Sequence, residues 1–155
     1  MRSVPSPSGQ LERSGISCTT DPYLRPISNG VDLELFRPLD KIAARKEIAE
    51  ISGDQRFLKM PIVGFCSRFE PGKGAYPFLR VAARNPNVLF PVIGQQFEPV
   101  THPPNVIFLG PQPHDRMPLF YNALDILSAL SVYSYESCPS NVLEGMACGL
   151  PVVAT

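Results

Sequence analysis

Residues 135–155, YESCPSNVLEGMACGLPVVAT, read as a strand end, a Ser/Pro loop, a short helix, a tight glycine turn and an apolar strand. The helix is expected over 141–148, the turn at Gly149 and the strand from Pro151. One carboxylate, Glu136, falls before the loop and another, Glu144, falls inside the helix.

The same alternation extends upstream. Continuous apolar runs at 58–66, 88–94, 106–110 and 126–130 read as strands, with helical spacing over 38–50, 76–84 and 114–122 between them. Strands that are apolar throughout, separated by helices, predict an α/β fold with a Rossmann-like parallel sheet covered on both faces. Crossovers in such a sheet are right-handed, and ligands bind beyond the carboxyl ends of the strands. Asp40 is the expected N-cap of the first helix, with Leu39, Ile42, Ala43 and Ile48 on its buried side. Phe78, Leu79, Ala82 and Ala83 are expected to bury the second helix, and Met117, Leu119, Phe120 and Ala123 the third. Asn29 and Gly30 predict a tight turn with positive φ, anchored by Val31, Leu35 and Phe36. Residues 1–22 are rich in Ser, Pro and Gly and read as a flexible segment or inter-domain remnant, leaving 23–155 as one domain.

With 14 basic and 14 acidic side chains the formal net charge is zero, which argues against a polyanion-binding domain and gives no nucleic-acid partner. The four cysteines form no CxxC pair and follow no secretory signal, so a reduced, cytoplasmic chain is the expectation. His102 and His114 stand apart from any ligand cluster, so no metal site is expected.

Chemistry concentrates in two loops that both follow apolar strands. In 67–74, SRFEPGKG, Arg68 and Lys73 supply either an anion site or a solvated charged loop. The glycine spacing matches neither the dinucleotide fingerprint nor the GxxxxGK[ST] loop. In the second loop, Ser140 or Asn141 is placed to cap the helix, whose free N–H groups form a natural phosphate site. A guanidinium and an ammonium beside it could hold a diphosphate and stabilise it as it departs. Glu144, an acceptor without a donor, suits the adjacent hydroxyls of a ribose, and Glu136 those of a second sugar. Solvated roles for both acids, and hydrolysis by a carboxylate pair, stay open because sequence spacing does not set their separation in space. Cys138 near the helix start has no companion base in view.

At these residues the chain resembles retaining GT-B glycosyltransferases of family 4, also called glycosyl transferases group 1. The segment ISNGVDLELFRP resembles the start of that family's second domain. SRFEPGKG resembles its G-R-L-x-x-x-K-G loop, and PNVIFLG its third strand. YESCPSNVLEGMACGLPVVAT resembles its E-x7-E region and the MAxGxPVVAT run that follows. The resemblance covers 23–155 and implies part of the C-terminal, nucleotide-sugar-binding domain. It would place Arg68 and Lys73 on the donor diphosphate, Glu136 on the donor sugar, Glu144 on the ribose, and the amides around Ser140 and Asn141 on phosphate or sugar. It implies transfer with anomeric retention to an acceptor hydroxyl, on a glycan or lipid-linked glycan, with a nucleotide-diphosphate sugar as donor and neither metal nor other cofactor. Ser67 stands where the loop usually has Gly, and Cys138 and Pro139 replace a common Phe and Gly, so the donor pocket is expected to differ in shape. The family's N-terminal acceptor domain has no counterpart here, and the pattern continues past Thr155, so the chain reads as a fragment truncated at both ends and inactive alone. The full-length product could be membrane-peripheral. The alternative is a noncatalytic interaction module or degenerate nucleotide-binding remnant on the same sheet.

Overall fold

A computed structural model describes residues 28–133 and 139–155. Five strands form one sheet: β1 (Val63–Cys66), β2 (Phe90–Ile93), β3 (Val106–Gly110), β4 (Ile126–Ala129) and β5 (Val152–Ala154). Their order is β3-β2-β1-β4-β5, and every pairing is parallel. Four α-helices accompany them among the described residues: α1 (Lys41–Ser52), which precedes β1, α2 (Ala75–Arg84), α3 (Met117–Ala123) and α4 (Ser140–Ala147).

The α/β expectation holds because the central strands are buried on both faces. One apolar cluster gathers α1, α3 and the end of α4 around Ile62 and Leu127, with Phe36, Phe57 and Tyr121 filling it. The other packs α2 against Phe65, Phe90 and Val92, where aromatic rings of Phe65, Phe69, Phe78 and Phe90 meet edge to face at 5.2–5.3 Å. Such contacts add about 0.5–1.5 kcal/mol each beyond their burial.

Asp40 caps α1 as its sequence position predicts, accepting from the N–H groups of Ile42 (2.8 Å) and Ala43 (3.0 Å). The buried stripe of that helix differs from expectation. Ala44, Ile48 and Ala49 face the core, whereas Ile42 and Ala43 are exposed. The uneven apolar pattern left the register ambiguous, and the small side chains at 44 and 49 let the helix approach the core closely.

The first strand is shorter than its apolar run. Asp54 accepts from Arg56 N–H and caps a 3-10 turn over Gln55–Leu58, which buries Phe57 and turns the chain before the sheet begins. Pro61, with no N–H to donate, contributes only its carbonyl, to Leu89 N–H. The tight turn predicted at Asn29 and Gly30 is absent, and Gly30 has no positive φ. The chain turns instead at 33–35, where the Asp32 carboxylate accepts from the N–H groups of Glu34 and Leu35. Phe36 is buried as anticipated.

Two buried asparagines fix connections. Asn122 accepts from Leu39 N–H (2.7 Å) and donates to the carbonyls of Arg37 and Pro118, fastening the segment before α1 to α3. Asn105 donates to the carbonyls of Ala82, Asn85 and Val88, closing the end of α2.

Asp125 ties α1 to the sheet. Its carboxylate accepts from Ile62 N–H (2.8 Å), Lys41 Nζ (3.1 Å) and Arg45 Nη2 (2.6 Å). Burial opposes its ionisation, but these three donors outweigh burial and hold the carboxyl below its ordinary value. An acid with a depressed native pKa stabilises the fold fully above its unfolded pKa of about 3.9. That contribution is lost as pH falls through the native value. Asp125→Asn is therefore expected to flatten the acid limb of unfolding free energy against pH below about pH 4. Denaturant titrations at stepped pH check this, and an unchanged slope would contradict it.

Candidate functional site

The strand order creates a switch point. From β1 the chain moves outward to β2 and β3, then crosses back to β4 and β5 on the other side of β1. β1 and β4 are neighbours at that point, and open α/β sheets bind ligands beyond the carboxyl edge at such a place.

The loop after β1, residues 67–74, is held from both sides. Phe69 N–H donates to Gln95 O (2.8 Å) beyond β2. On the other side Gly72 O accepts from Val132 N–H (2.9 Å) and Ser131 Oγ (3.3 Å) beyond β4. Gly72 lies so close to Tyr133 that a Cβ would overlap its ring. Gly74 ends a 3-10 turn over Pro71–Lys73 at φ 89° and starts α2. From this frame Arg68 extends into solvent, with 58% of its side chain exposed, and Lys73 Nζ lies 5.8 Å from the centre of the Tyr133 ring. Arg68 Nη2 stands 3.3 Å from Glu70 Oε1 in an ion pair of poor alignment. Among the described residues that buried oxygen accepts no hydrogen bond.

The second loop leads into α4. Neither Ser140 nor Asn141 caps the helix: the N-cap is Pro139, without a side-chain hydrogen bond. Ser140 is the first helical residue, exposed, and Asn141 is turned away to donate from Nδ2 to Cys66 O (2.9 Å) at the end of β1. Competition decides this. The last carbonyl of β1 needs a donor more than the solvent-facing helix start does. Asn141 thereby docks α4 on β1 and holds its start beside the first loop.

Glu144, one helical turn later, has only 13% of its side chain exposed. Its Oε2 accepts from the hydroxyl of buried Tyr121 on α3 at 2.7 Å. Its Oε1 lies 3.9 Å from Nδ1 of His114, which is two-thirds exposed. Burial, together with the hydrogen bond to the Glu144 carboxylate and that carboxylate's charge, pushes the Tyr121 hydroxyl far up, so it stays a proton donor. Burial likewise raises Cys66, and raises Cys148 to about 11, so neither is a thiolate nucleophile at neutral pH.

The geometry thus brings Asn141 and Glu144 to the β1 edge on one helix face, with Arg68 and Lys73 on the adjoining loop. Glu136 and Cys138 lie outside the described residues. Tyr121 and His114 are members of the site that sequence reading passed over. The side of that helix expected to be buried left Tyr121 out; a tyrosine among apolar residues needs a partner for its hydroxyl, and that need was the available signal. Among the described residues no three His, Cys, Asp or Glu side chains converge as metal ligands would.

Residues 47–155 match the family described as "Glycosyl transferases group 1". The D-inositol 3-phosphate glycosyltransferase of Mycobacteroides abscessus is 34% identical over 139 residues, covering 81% of this chain and 30% of that protein. The Mycobacterium tuberculosis H37Ra protein of the same name gives 34% identity, with 27% of its length covered. The chain spans less than a third of these curated relatives. Among solved structures, the sucrose-phosphate synthase of Thermosynechococcus elongatus superposes with a TM-score of 0.74 at 25% identity, over 95% of this chain and 39% of that one. Anabaena Alr3699/HepE in complex with UDP-glucose gives 0.66 at 25% identity, over 84% and 38%. The fold is the Rossmann-like α/β fold of the C-terminal domain of GT-B enzymes.

Proposed function

The chain belongs to the glycosyl transferases group 1 family, and from that premise we propose that it is the nucleotide-sugar-binding part of a retaining GT-B transferase. The observation that carries this reading is the meeting, at the switch point, of a cationic loop and a helix start with a nearly buried carboxylate behind it. Arg68 and Lys73 take the donor diphosphate, the amides at Ser140 and Asn141 assist, Glu144 takes the ribose hydroxyls, and Glu136 positions the donor sugar. In the complete enzyme the bond from the anomeric carbon to the diphosphate oxygen breaks, its electron pair staying on the diphosphate. The acceptor oxygen bonds the same face of that carbon, and its proton leaves with the diphosphate. Stabilising the departing charge is the work of Arg68 and Lys73. Transfer requires the acceptor hydroxyl to be held against the bound donor, so donor binding is the part of the reaction that these residues supply. A UDP-glucose complex of a structural neighbour favours a uridine nucleotide as the first probe.

Calorimetric titration of the folded chain with UDP, GDP and ADP tests this. At least one diphosphate should bind, and more tightly than its free nucleoside by at least about tenfold, since two charge-assisted contacts are each worth about 1.5–3 kcal/mol. The Arg68→Gln, Lys73→Gln double variant should erase most of that difference. Failure of the folded chain to bind any of the three would sink the reading.

A further inference from the structure

We infer that Tyr121 is a positioning residue for diol recognition: from α3 it fixes the Glu144 carboxylate so that Oε1 is presented to a vicinal diol beside His114. The inference rests on the nucleotide-sugar reading and deepens it. Tyr121 is 1% exposed, so it does not touch a ligand itself. Its hydroxyl has one described partner, Glu144 Oε2 at 2.7 Å, and it holds that oxygen on the core side. The remaining oxygen, Oε1, lies toward exposed His114. The ring is fixed in turn by Phe36, whose centroid is 6.1 Å away, and Phe36 meets the His114 ring at 5.1 Å. Asn122, next to Tyr121, anchors the segment that carries Phe36. One packed unit therefore sets both the carboxylate rotamer and the imidazole beside it. A carboxylate on a flexible glutamate arm loses rotamer freedom when it binds. Holding one oxygen in advance removes part of that cost, which is how preorganisation increases affinity without a new ligand contact.

The test compares UDP with 2′,3′-dideoxy-UDP on the full chain. The wild type should prefer UDP by about tenfold or more. Tyr121→Phe removes one oxygen and should cut that preference by about three- to tenfold, leaving dideoxy-UDP affinity within about twofold. A merely structural role would weaken both ligands alike. Glu144→Gln should lower the preference in the wild type but add little in the Tyr121→Phe background. If phenylalanine does not fold, 4-fluorophenylalanine at 121 fills the volume without the donor and serves the same comparison. A diol preference unchanged by loss of the hydroxyl overturns the inference while leaving the nucleotide reading intact. Wild type that binds no UDP, or binds both ligands equally, overturns the diol assignment of Glu144 and this inference with it.

Discussion

Glu144→Ala is expected to weaken UDP binding by about 10- to 100-fold. A carboxylate that accepts from ribose hydroxyls makes charge-assisted hydrogen bonds worth about 1.5–3 kcal/mol, and tenfold in affinity corresponds to about 1.4 kcal/mol. Glu144 is shielded enough for the full effect, with 13% of its side chain exposed. Alanine also strands the buried Tyr121 hydroxyl, which loses its acceptor at a cost of about 1–3 kcal/mol of stability. Binding must therefore be read on protein shown by circular dichroism to be folded. Glu144→Gln separates the two effects. It keeps an acceptor for Tyr121, so it should unfold close to wild type while still losing much of the affinity. Affinity for UDP within twofold of wild type in the alanine variant would remove Glu144 from the ribose site.

The second large effect concerns the loop frame. Gly74→Ala is expected to destabilise the fold by about 3 kcal/mol, a large fraction of a typical 5–15 kcal/mol total. Two costs combine. At φ 89° any L-residue pays about 1–2 kcal/mol for the left-handed conformation. The added Cβ would also overlap the backbone carbonyl of Leu130, which has no rotamer by which to step aside. Overpacking of that kind costs about 1–3 kcal/mol. Gly53 gives the control: its φ is 69°, but nothing lies within 4 Å of a Cβ there. Gly53→Ala should therefore lose only the conformational part, about 1 kcal/mol. Urea unfolding of both variants tests the difference, and equal losses would show that the contact with Leu130 is relieved elsewhere. Because Gly74 sets where Lys73 leaves the loop, its variant should also bind UDP more weakly.

Much of the architecture was legible beforehand because the signals are local. The apolar runs at 106–110 and 126–130 became β3 and β4 nearly residue for residue, and Asp40 capped α1 where a carboxylate before a helical pattern should. The parallel sheet followed from strands too apolar to face water on either side. Misses occurred where two local readings competed. The run 58–66 looked like one strand, yet an Asp54 cap converted its start into a turn. Gly30 offered a turn, but the Asp32 carboxylate satisfied the neighbouring N–H groups better. Helix α1 had apolar residues on more than one side, so its buried stripe waited on what it packed against.

The site divides in the same way. Residue order carries its chemical inventory: two cations on one loop, Glu144 in a helix after another, and the match of 47–155 to a family of glycosyl transferases. How those groups are held depends on long-range packing. Asn141 and Cys66 are 75 positions apart and Tyr121 and Glu144 are 23 apart, yet each pair shares a hydrogen bond. Their meeting depends on β4 returning to lie beside β1, so that α3 and α4 reach the carboxyl edge together. Periodicity reports which face of an element is buried, and it carries no information about which distant polar group that face will meet. That choice follows from strand order and from the requirement that every buried donor find an acceptor. This is why Asn141, expected to cap its own helix, instead holds the end of β1.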